Sequence, residues 1–300
     1  MKNYLLIVFF LLFTTSSLRA QIIPADTIFL NTLEQGFWTS DFSLGINFNQ
    51  ASFSGNWRGG GINSIAFGGI VAGKANYMKG RFTWDNELEL LYGVVNNQGE
   101  QSRKQNDRMF FDSKAGYQLT GNWGAFFSAN FISQFAPGYD YDTPERLMIS
   151  DFLSPGYLTT GFGLEYKPNQ EFNLRIAPLS PRFTFMRNQE LFLNVPDNYG
   201  VPIGSQLRTE WLAFQLYATW DKDITENLNL RSRYMMFANY ETMEWRRIDH
   251  RFDLTLTAKI TEWVNVTFTS INLYDFDQDP NVQYSQALAI GLMYKIGNKQ

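Results

Sequence analysis

The sequence predicts an all-β protein, a transmembrane antiparallel up-and-down β-barrel of about 12 strands that is preceded by a cleaved signal peptide. Three observations predict this fold: an N-terminal leader, a series of segments that are apolar on one face and polar on the other, and an alternation of short and long connections. The composition agrees, because 17% aromatic residues with a mean hydropathy of −0.26 fit strands that face lipid on one side and water on the other.

The leader starts with Lys2, continues through a short apolar core at residues 5–13, and ends at Ala20 before a plausible cleavage point at Gln21. This core is too short to span a bilayer, so we expect it to be removed rather than to act as an anchor. The chain contains no cysteine, which excludes a lipoprotein anchor at the cleavage point, structural disulfides and thiolate metal sites.

We therefore expect a signal peptide at 1–20, a periplasmic N-terminal segment at 21–36 and an outer-membrane β-barrel at 37–300. The predicted location is the outer membrane of a Gram-negative cell, reached by signal-peptide export, with both termini in the periplasm.

Residues 82–94 show the strand pattern most clearly. One face carries Phe82, Trp84 and Leu88, and the other carries Asp85 and Glu87. Side chains alternate between the two faces of a strand, so this segment has one apolar and one acidic face. The same alternation predicts further strands near 40–49, 62–76, 109–119, 123–135, 158–166, 172–176, 212–220, 228–240, 248–260, 264–268 and 288–296.

The connections between these segments support the same fold. Short, turn-rich links occur at 78–80, 120–122, 168–170, 221–225 and 261–262. Longer polar links occur between them at 50–60, 95–107, 136–156, 186–208 and 275–284, and only the link near 241–245 breaks the alternation. Short turns are typical of the periplasmic side and long loops of the outside.

Aromatic residues predict two interfacial girdles. Five lie on the apolar faces near short-turn ends (Trp84, Tyr117, Trp123, Tyr166 and Trp220), and four lie near long-loop ends (Tyr92, Phe135, Tyr240 and Tyr274). The last strand, Gly291 to Ile296, is similar to the C-terminal signal that barrel-assembly machinery reads. A soluble β-sandwich also gives a period of two residues, but not this combination of long strands, girdles and asymmetric loops.

Several motifs resemble a Bacteroidota family that is catalogued as a domain of unknown function and regarded as outer-membrane barrels. They are NWRGGGINS at 56–64, KGRFTWDN at 79–86, YG at 92–93, RK at 103–104, NDR at 106–108, FAPGY at 135–139, ISDFLSPGY at 149–157, APLSP at 177–181, FANY at 237–240 and LYD at 273–275. The chain departs from the family pattern at Ala177, where Ser is expected, and at Gly61-Ile62, where an acidic residue is expected. The resemblance implies a barrel of unknown activity and carries over no catalytic residue.

Charged residues on the polar faces are the candidate functional residues, because those faces line the lumen. They are Asp85, Glu87, Glu89, Arg108, Asp112, Lys114, Arg231, Arg233, Asp249, Arg251 and Asp253, with Glu165, Lys167 and Arg175 on the same faces. They either line a narrow pore as selective charged rings or form a polar plug of paired ions. We expect the three acidic residues of 85–89 to face Arg108 and Lys114 on the next strand.

His250 raises the alternative of a membrane lipid hydrolase, which requires a Ser–His pair oriented by a third polar group. Ser270 and Asn272 share its face on the next strand, but an antiparallel register places His250 nearer Tyr274 than Ser270. A histidine in the interfacial girdle is the plainer interpretation.

Two further segments suggest ligands only weakly. The run Gly59-Gly60-Gly61 lacks the following helix that a phosphate cradle requires, so a loop turn is expected. The acidic loop with Asp140, Asp142, Glu145 and Asp151 does not have the EF-hand spacing of a Ca²⁺ site. We expect no cofactor and no metal.

The sequence therefore predicts an outer-membrane barrel of unknown specific activity, and we favour a narrow channel or facilitator for small polar solutes over an enzyme. The alternatives are a structural or docking barrel and, less favoured, the lipid hydrolase. Expected partners are outer-membrane lipids, lipopolysaccharide and the barrel-assembly machinery. Nucleic acid is not expected, because the net charge is −4 and no basic stripe is present.

Overall fold

The computed structural model describes residues 37–54, 58, 62–141, 145–195 and 197–298, with side chains up to Tyr294. Its strands are β1 (Phe37–Ala51), β2 (Ser64–Lys79), β3 (Phe82–Asn97), β4 (Arg103–Thr120), β5 (Trp123–Ser133), β6 (Gly138–Tyr139), β7 (Met148–Ser150), β8 (Gly156–Tyr166), β9 (Phe172–Leu179), β10 (Arg182–Phe185), β11 (Leu207–Glu210), β12 (Ala213–Thr225), β13 (Leu228–Asn239), β14 (Asp249–Lys259), β15 (Val264–Asp275) and β16 (Asp279–Asn298). Short 3₁₀ helices cover Gln189–Leu193, Asn198–Gly200 and Trp245–Arg247. None of the helices in the described ranges is long and apolar enough to cross a bilayer.

Twelve strands form a closed antiparallel ring. Around the ring the order is β8, β5, β4, β3, β2, β1, β16, β15, β14, β13, β12 and β9, and the pairing of β9 with β8 closes it. The predicted barrel and its strand number are therefore confirmed. Closure pairs the backbone groups that an open sheet would expose to lipid at its edges.

Two of the strands in the ring are interrupted, one between β9 and β10 and the other between β11 and β12. After β9 the chain passes Ser180 and Pro181 and continues as β10, which pairs with the first residues of β8, Gly156 to Thr159. β11 and β12 are similarly separated at Trp211 and Leu212, and β11 pairs with β10. Proline cannot donate a ladder hydrogen bond, so an interruption at Pro181 is expected. The Ser180 hydroxyl bridges the gap by donating to the carbonyl of Thr160 at 2.6 Å.

The connections sort to the two ends of the barrel. Short turns close β2–β3, β4–β5, β8–β9, β12–β13 and β14–β15 at what we call the turn end, where Phe37 also pairs with Met78 and Ser40 with Asn298. The opposite end, the loop end, carries the longer connections. Two predicted long loops are wrong, because strands extend into 95–107 and 275–284 and leave only 98–102 and 276–278 as connections.

The outer surface of the ring is apolar. Phe127, Phe162 and Leu288 are more than half exposed on it, as residues facing hydrocarbon must be. At the turn end the rings of Trp38 and Trp84 lie 5.6 Å apart and those of Trp123 and Tyr166 lie 5.0 Å apart, which forms part of an aromatic girdle. The chain is thus a transmembrane β-barrel of the outer-membrane type.

The segment between β10 and β11 folds over the loop end and is packed rather than extended. Met186, Leu191 and Val201 are buried together, with Met148 and Tyr199 packed against them. The Tyr199 hydroxyl donates to the carbonyl of Ile149 at 2.5 Å. Burial, together with the charge of Asp275, raises the pKa of the Tyr199 phenol to about 12, so the phenol remains a hydrogen-bond donor at neutral pH. We call residues 186–195 and 197–206 the cap segment.

Candidate functional site in the barrel lumen

The predicted lumen charges within the strands lie inside the ring, and each has an ion-pair partner there. Lys167 is the exception, because it lies in the exposed turn between β8 and β9. Asp85 pairs with Lys114, Glu89 with Arg108, and Arg251 with Asp253. Asp112 pairs with Arg175 at 2.8 Å, and Asp249 pairs with Arg182, which the sequence had not singled out. Paired ions are the usual condition for burying charge, because an isolated charge in a low-dielectric interior is strongly unfavourable.

Three sets of these pairs cross the full width of the barrel. β2 and β12, β3 and β13, and β4 and β14 each stand six positions apart in the twelve-strand ring, which makes them opposite walls. Lys74 on β2 contacts Asp221 on β12 at 3.4 Å. Arg108 Nη1 on β4 contacts Asp253 Oδ2 on β14 at 2.9 Å. We call these pairs, with the one between β3 and β13, the cross-lumen bridges.

Glu87 of β3 is the centre of the middle bridge. It accepts from Arg231 and, at 2.7 Å, from Arg233, both on the opposite wall. The guanidinium of Arg233 also lies 4.0 Å from the centre of the Phe110 ring. Phe110 faces the lumen and is buried, so it supplies a cation–π contact that parity alone did not identify as functional.

The expected pairing of 85–89 with β4 is correct for two of the three carboxylates. Asp85 Oδ2 lies 2.9 Å from Lys114 Nζ, and Glu89 binds Arg108. Glu87 is the exception, because the register places it opposite Asp112. Like charges directly opposite repel, so Glu87 binds the arginines across the lumen, while Asp112 binds Arg175.

One half of the lumen is filled by this charged network. Lys114, Asp112 and Arg233 are all less than 5% exposed. Lys114 also binds Glu165, which accepts a further bond from Asn173, and the guanidinium of Arg175 lies 4.8 Å from the centre of the Tyr217 ring. We call this packed set, on β4, β8, β9, β12 and β13, together with the buried Ser128 of β5, the charged core.

The other half of the lumen is lined by small, mostly uncharged residues. In the registers of β15, β16, β1 and β2, these small residues share the inward face: Asn265, Thr267 and Thr269 on β15, Ser285, Ala287, Ala289 and Gly291 on β16, Asn47, Gly45 and Ser43 on β1, and Gly68 and Ala72 on β2. We call these four strands the small-residue wall. It leaves open volume beside the charged core.

Two cavities occupy the lumen. A turn-end cavity of about 340 Å³ lies against the small-residue wall and reaches the cross-lumen bridges. A loop-end cavity of about 400 Å³ lies beneath the cap segment, among Tyr157, Arg182, Tyr199 and Asp249. Six residues line both cavities: Leu91, Gln105, Asn106, Arg108, Ile271 and Ser285. The cavities therefore meet at one junction beside the Arg108–Asp253 bridge.

His250 is placed on the outer face, as the girdle interpretation expects. Its Nδ1 lies 2.7 Å from the hydroxyl of Tyr234, and the register puts it opposite Tyr274. Ser270 stands opposite Leu254, further along the strand, and accepts a bond from Asn272. The geometry thus does not assemble the Ser–His pair that a hydrolase of this kind would use.

The other weak ligand motifs fall partly outside the described residues. Gly59 to Gly61 and Asp142 lie outside them. Among the residues that the structure does describe, no cluster of three or more His, Cys, Asp or Glu side chains has the geometry to hold a metal ion.

Comparison with known families identifies a match over part of the chain. Residues 48–139 match the family described as "Protein of unknown function (DUF3078)". This span covers the end of β1 through β6, so over that part of the chain the resemblance to a domain-of-unknown-function family is confirmed. No curated protein matches the sequence.

Several solved outer-membrane proteins align with most of the chain, at low sequence identity. An outer membrane channel from Pseudomonas putida F1 has 10% identity and a TM-score of 0.38, over 92% of this chain and 100% of that chain. The NanC porin has 9% identity and a TM-score of 0.39, over 85% of this chain and 100% of that chain. The translocator domain of the autotransporter NalP from Neisseria meningitidis has 10% identity and a TM-score of 0.32, over 88% and 91%.

Proposed function

We propose that this barrel is a narrow channel that lets small polar solutes cross the outer membrane passively. The observation that carries the proposal is the pair of cavities, one at each end of the lumen, that share six lining residues. Where the cavities meet, the barrier beside the path consists of side-chain ion pairs rather than backbone, since Arg108 of the Arg108–Asp253 bridge lines both cavities. Side chains change rotamers on fast timescales, so such a barrier can admit a solute without unfolding a strand.

The charge balance of the barrier fits passage of polar solutes. The turn-end cavity is lined by the acidic residues Asp41, Glu87, Glu89, Asp221, Asp223 and Asp253 and by the basic residues Lys74, Arg108, Arg231 and Arg233. All four basic residues are held in ion pairs. A lumen of paired charges holds water and hydrogen-bonding solutes, whereas apolar solutes gain nothing from it.

Orientation and export complete the proposal. The turn end, where the start of β1 pairs with the end of β16, faces the periplasm. The loop end with its cap segment faces outward, as in barrels with short periplasmic turns. Export by the leader is part of the same proposal. The lipid surface that surrounds the barrel includes lipopolysaccharide at the loop end.

Uptake by proteoliposomes tests this function. Vesicles containing the purified, folded barrel are placed in isotonic solutions of small polar solutes, and swelling is compared with that of protein-free vesicles. We expect faster swelling for at least one solute and a small ion current in planar bilayers. A barrel that is folded by heat-modifiable gel migration, but gives neither swelling nor current even as Glu87→Gln, would overturn the proposal and favour a structural barrel.

A further inference from the structure

The junction between the two cavities lies to one side of the lumen. Its residues come from β3 and β4 on one side and from β15 and β16 on the other, so it borders the small-residue wall and leaves out the strands at the far side of the charged core. Five of the six are uncharged: two amides, one hydroxyl and two aliphatic side chains. The sixth, Arg108, is bound by Glu89 and Asp253.

Packing explains why the open path runs on this side. In the charged core, long side chains fill the space and even Lys114 and Ser128 are almost completely buried. On the small-residue wall, Thr269, Ala287 and Ala289 extend too little to reach the opposite strands, so volume remains in front of them. The barrel is thus a filled half beside an open half.

Ser285 lies in the junction, because it lines both cavities. It follows Tyr284, which faces lipid, and it pairs in register with Ile271, which also lines both cavities. The side chain of Ser285 faces the lumen and is exposed. Solvent in the lumen can therefore reach it.

We infer that solutes pass off-axis, between the charged core and the small-residue wall, through a junction at Ser285 that selects neutral hydrogen-bonding solutes of the polyol class. This inference rests on the proposed function and names its substrate class. The hydroxyl of Ser285 and the amides of Gln105 and Asn106 can exchange hydrogen bonds with hydroxyl groups, while Leu91 and Ile271 suit the carbon skeleton between them.

Ions should pass this junction less readily for a physical reason. A charged solute must lose part of its hydration among the neutral groups of the junction, and the one charged residue among its six, Arg108, already has two carboxylate partners. A neutral solute exchanges its hydrogen bonds with water for hydrogen bonds with the amides and the hydroxyl, at smaller cost.

The first test compares matched solutes in the swelling assay: glucose, the anion gluconate and the cation glucosamine. We expect glucose to enter at least about tenfold faster than either ion, because desolvation of a charge opposes passage. No uptake of any solute contradicts the proposed function itself. Uptake of an ion at the rate of glucose leaves the channel intact and overturns the inference.

The second test locates the path, and it uses the absence of native cysteine. Ser285→Cys is modified with a bulky methanethiosulfonate reagent, and Ser128→Cys in the charged core is the matched control. We expect modification at 285 to reduce glucose swelling to the level of protein-free vesicles and treatment of the 128 variant to leave it unchanged. Complete modification at 285, checked by mass spectrometry, with unchanged swelling would overturn the off-axis path.

Discussion

Arg108 and Asp253 lie on opposite walls of the barrel, and their side chains meet at 2.9 Å between Nη1 and Oδ2. With Lys74–Asp221 and the arginines on Glu87, this bridge ties three successive strand pairs together across the lumen. Such contacts do two things at once, because they stabilise the barrel against deformation and narrow the route through it. The predictions that follow separate these two roles.

Arg233 is the most connected cation of the bridges, so its loss should destabilise the barrel. Its guanidinium binds Glu87 at 2.7 Å, lies 3.8 Å from Asp253, and stacks on Phe110. Arg233→Met leaves the buried carboxylates underpaired. We expect the free energy of unfolding to fall by about 3–5 kcal/mol, measured by urea unfolding in detergent micelles with tryptophan fluorescence.

Lys222→Met is the matched control for this substitution. Lys222 also forms an ion pair, with Glu171 at 3.2 Å, but both side chains are about 40% exposed. Exposed pairs contribute at most about 1 kcal/mol. Equal losses in the two variants would show that the cross-lumen bridges are no stronger than surface pairs.

Glu87→Gln should instead reveal the barrier to passage. The substitution keeps the size of the side chain but removes the charge that holds Arg231 and Arg233. Freed from their anchor, these arginines can move toward the remaining carboxylates, so we expect higher conductance in planar bilayers and a shift of selectivity toward anions. Glu171→Gln, outside both cavities, should change neither quantity. A folded Glu87→Gln barrel with unchanged current and selectivity would show that this bridge does not limit passage.

The period of two residues within one strand was sufficient to predict which strand residues face the lumen. It failed for Lys167, because that residue lies just beyond the end of β8. The sequence was less informative about which charged residues pair with each other. Glu87 and Arg233 are separated by 146 positions, and their contact depends on how twelve strands close into a ring. Local periodicity contains no information about that closure. The local contact of Asp85 with Lys114, by contrast, follows from one hairpin.

The predicted loop at 275–284 is wrong because polar residues there form part of a strand. The polar residues at 275–284 predict a loop, although residues 279–284 belong to β16, where few apolar residues lie on either face. Asp275 begins a tight turn there, since its side chain accepts from the backbone N–H of Asp277 at 3.1 Å and its carbonyl accepts from that of Gln278 at 2.9 Å. Aspartate is a common turn former, so this signal was present but was outweighed by polarity.

A double-mutant cycle at Lys114 tests whether the charged core is a coupled network. Lys114 binds both Asp85 and Glu165 and is almost completely buried. Lys114→Met alone should cost about 3 kcal/mol or more, because two carboxylates lose their cation. Adding Glu165→Gln removes one of those charges, so the double variant should recover at least about 1 kcal/mol relative to additive losses. Additive losses in urea unfolding would mean that Lys114 and Glu165 act independently.

Tyr199 should hold the cap segment closed over the loop-end cavity. Its hydroxyl donates to the carbonyl of Ile149 in β7, and Asn194 donates to the neighbouring carbonyl of Met148 at 2.8 Å. Tyr199→Phe removes one of these bonds and leaves the ring to pack against Met186 and Leu191. We expect about 1 kcal/mol less local stability, seen as faster proteolytic cleavage within 186–206 in folded barrels, together with faster glucose swelling. Tyr240→Phe is the control, because the Tyr240 hydroxyl donates to the carbonyl of Pro178 outside the cap segment. Identical cleavage of the two variants and of the wild-type barrel would show that the hydroxyl of Tyr199 does not keep the cap in place.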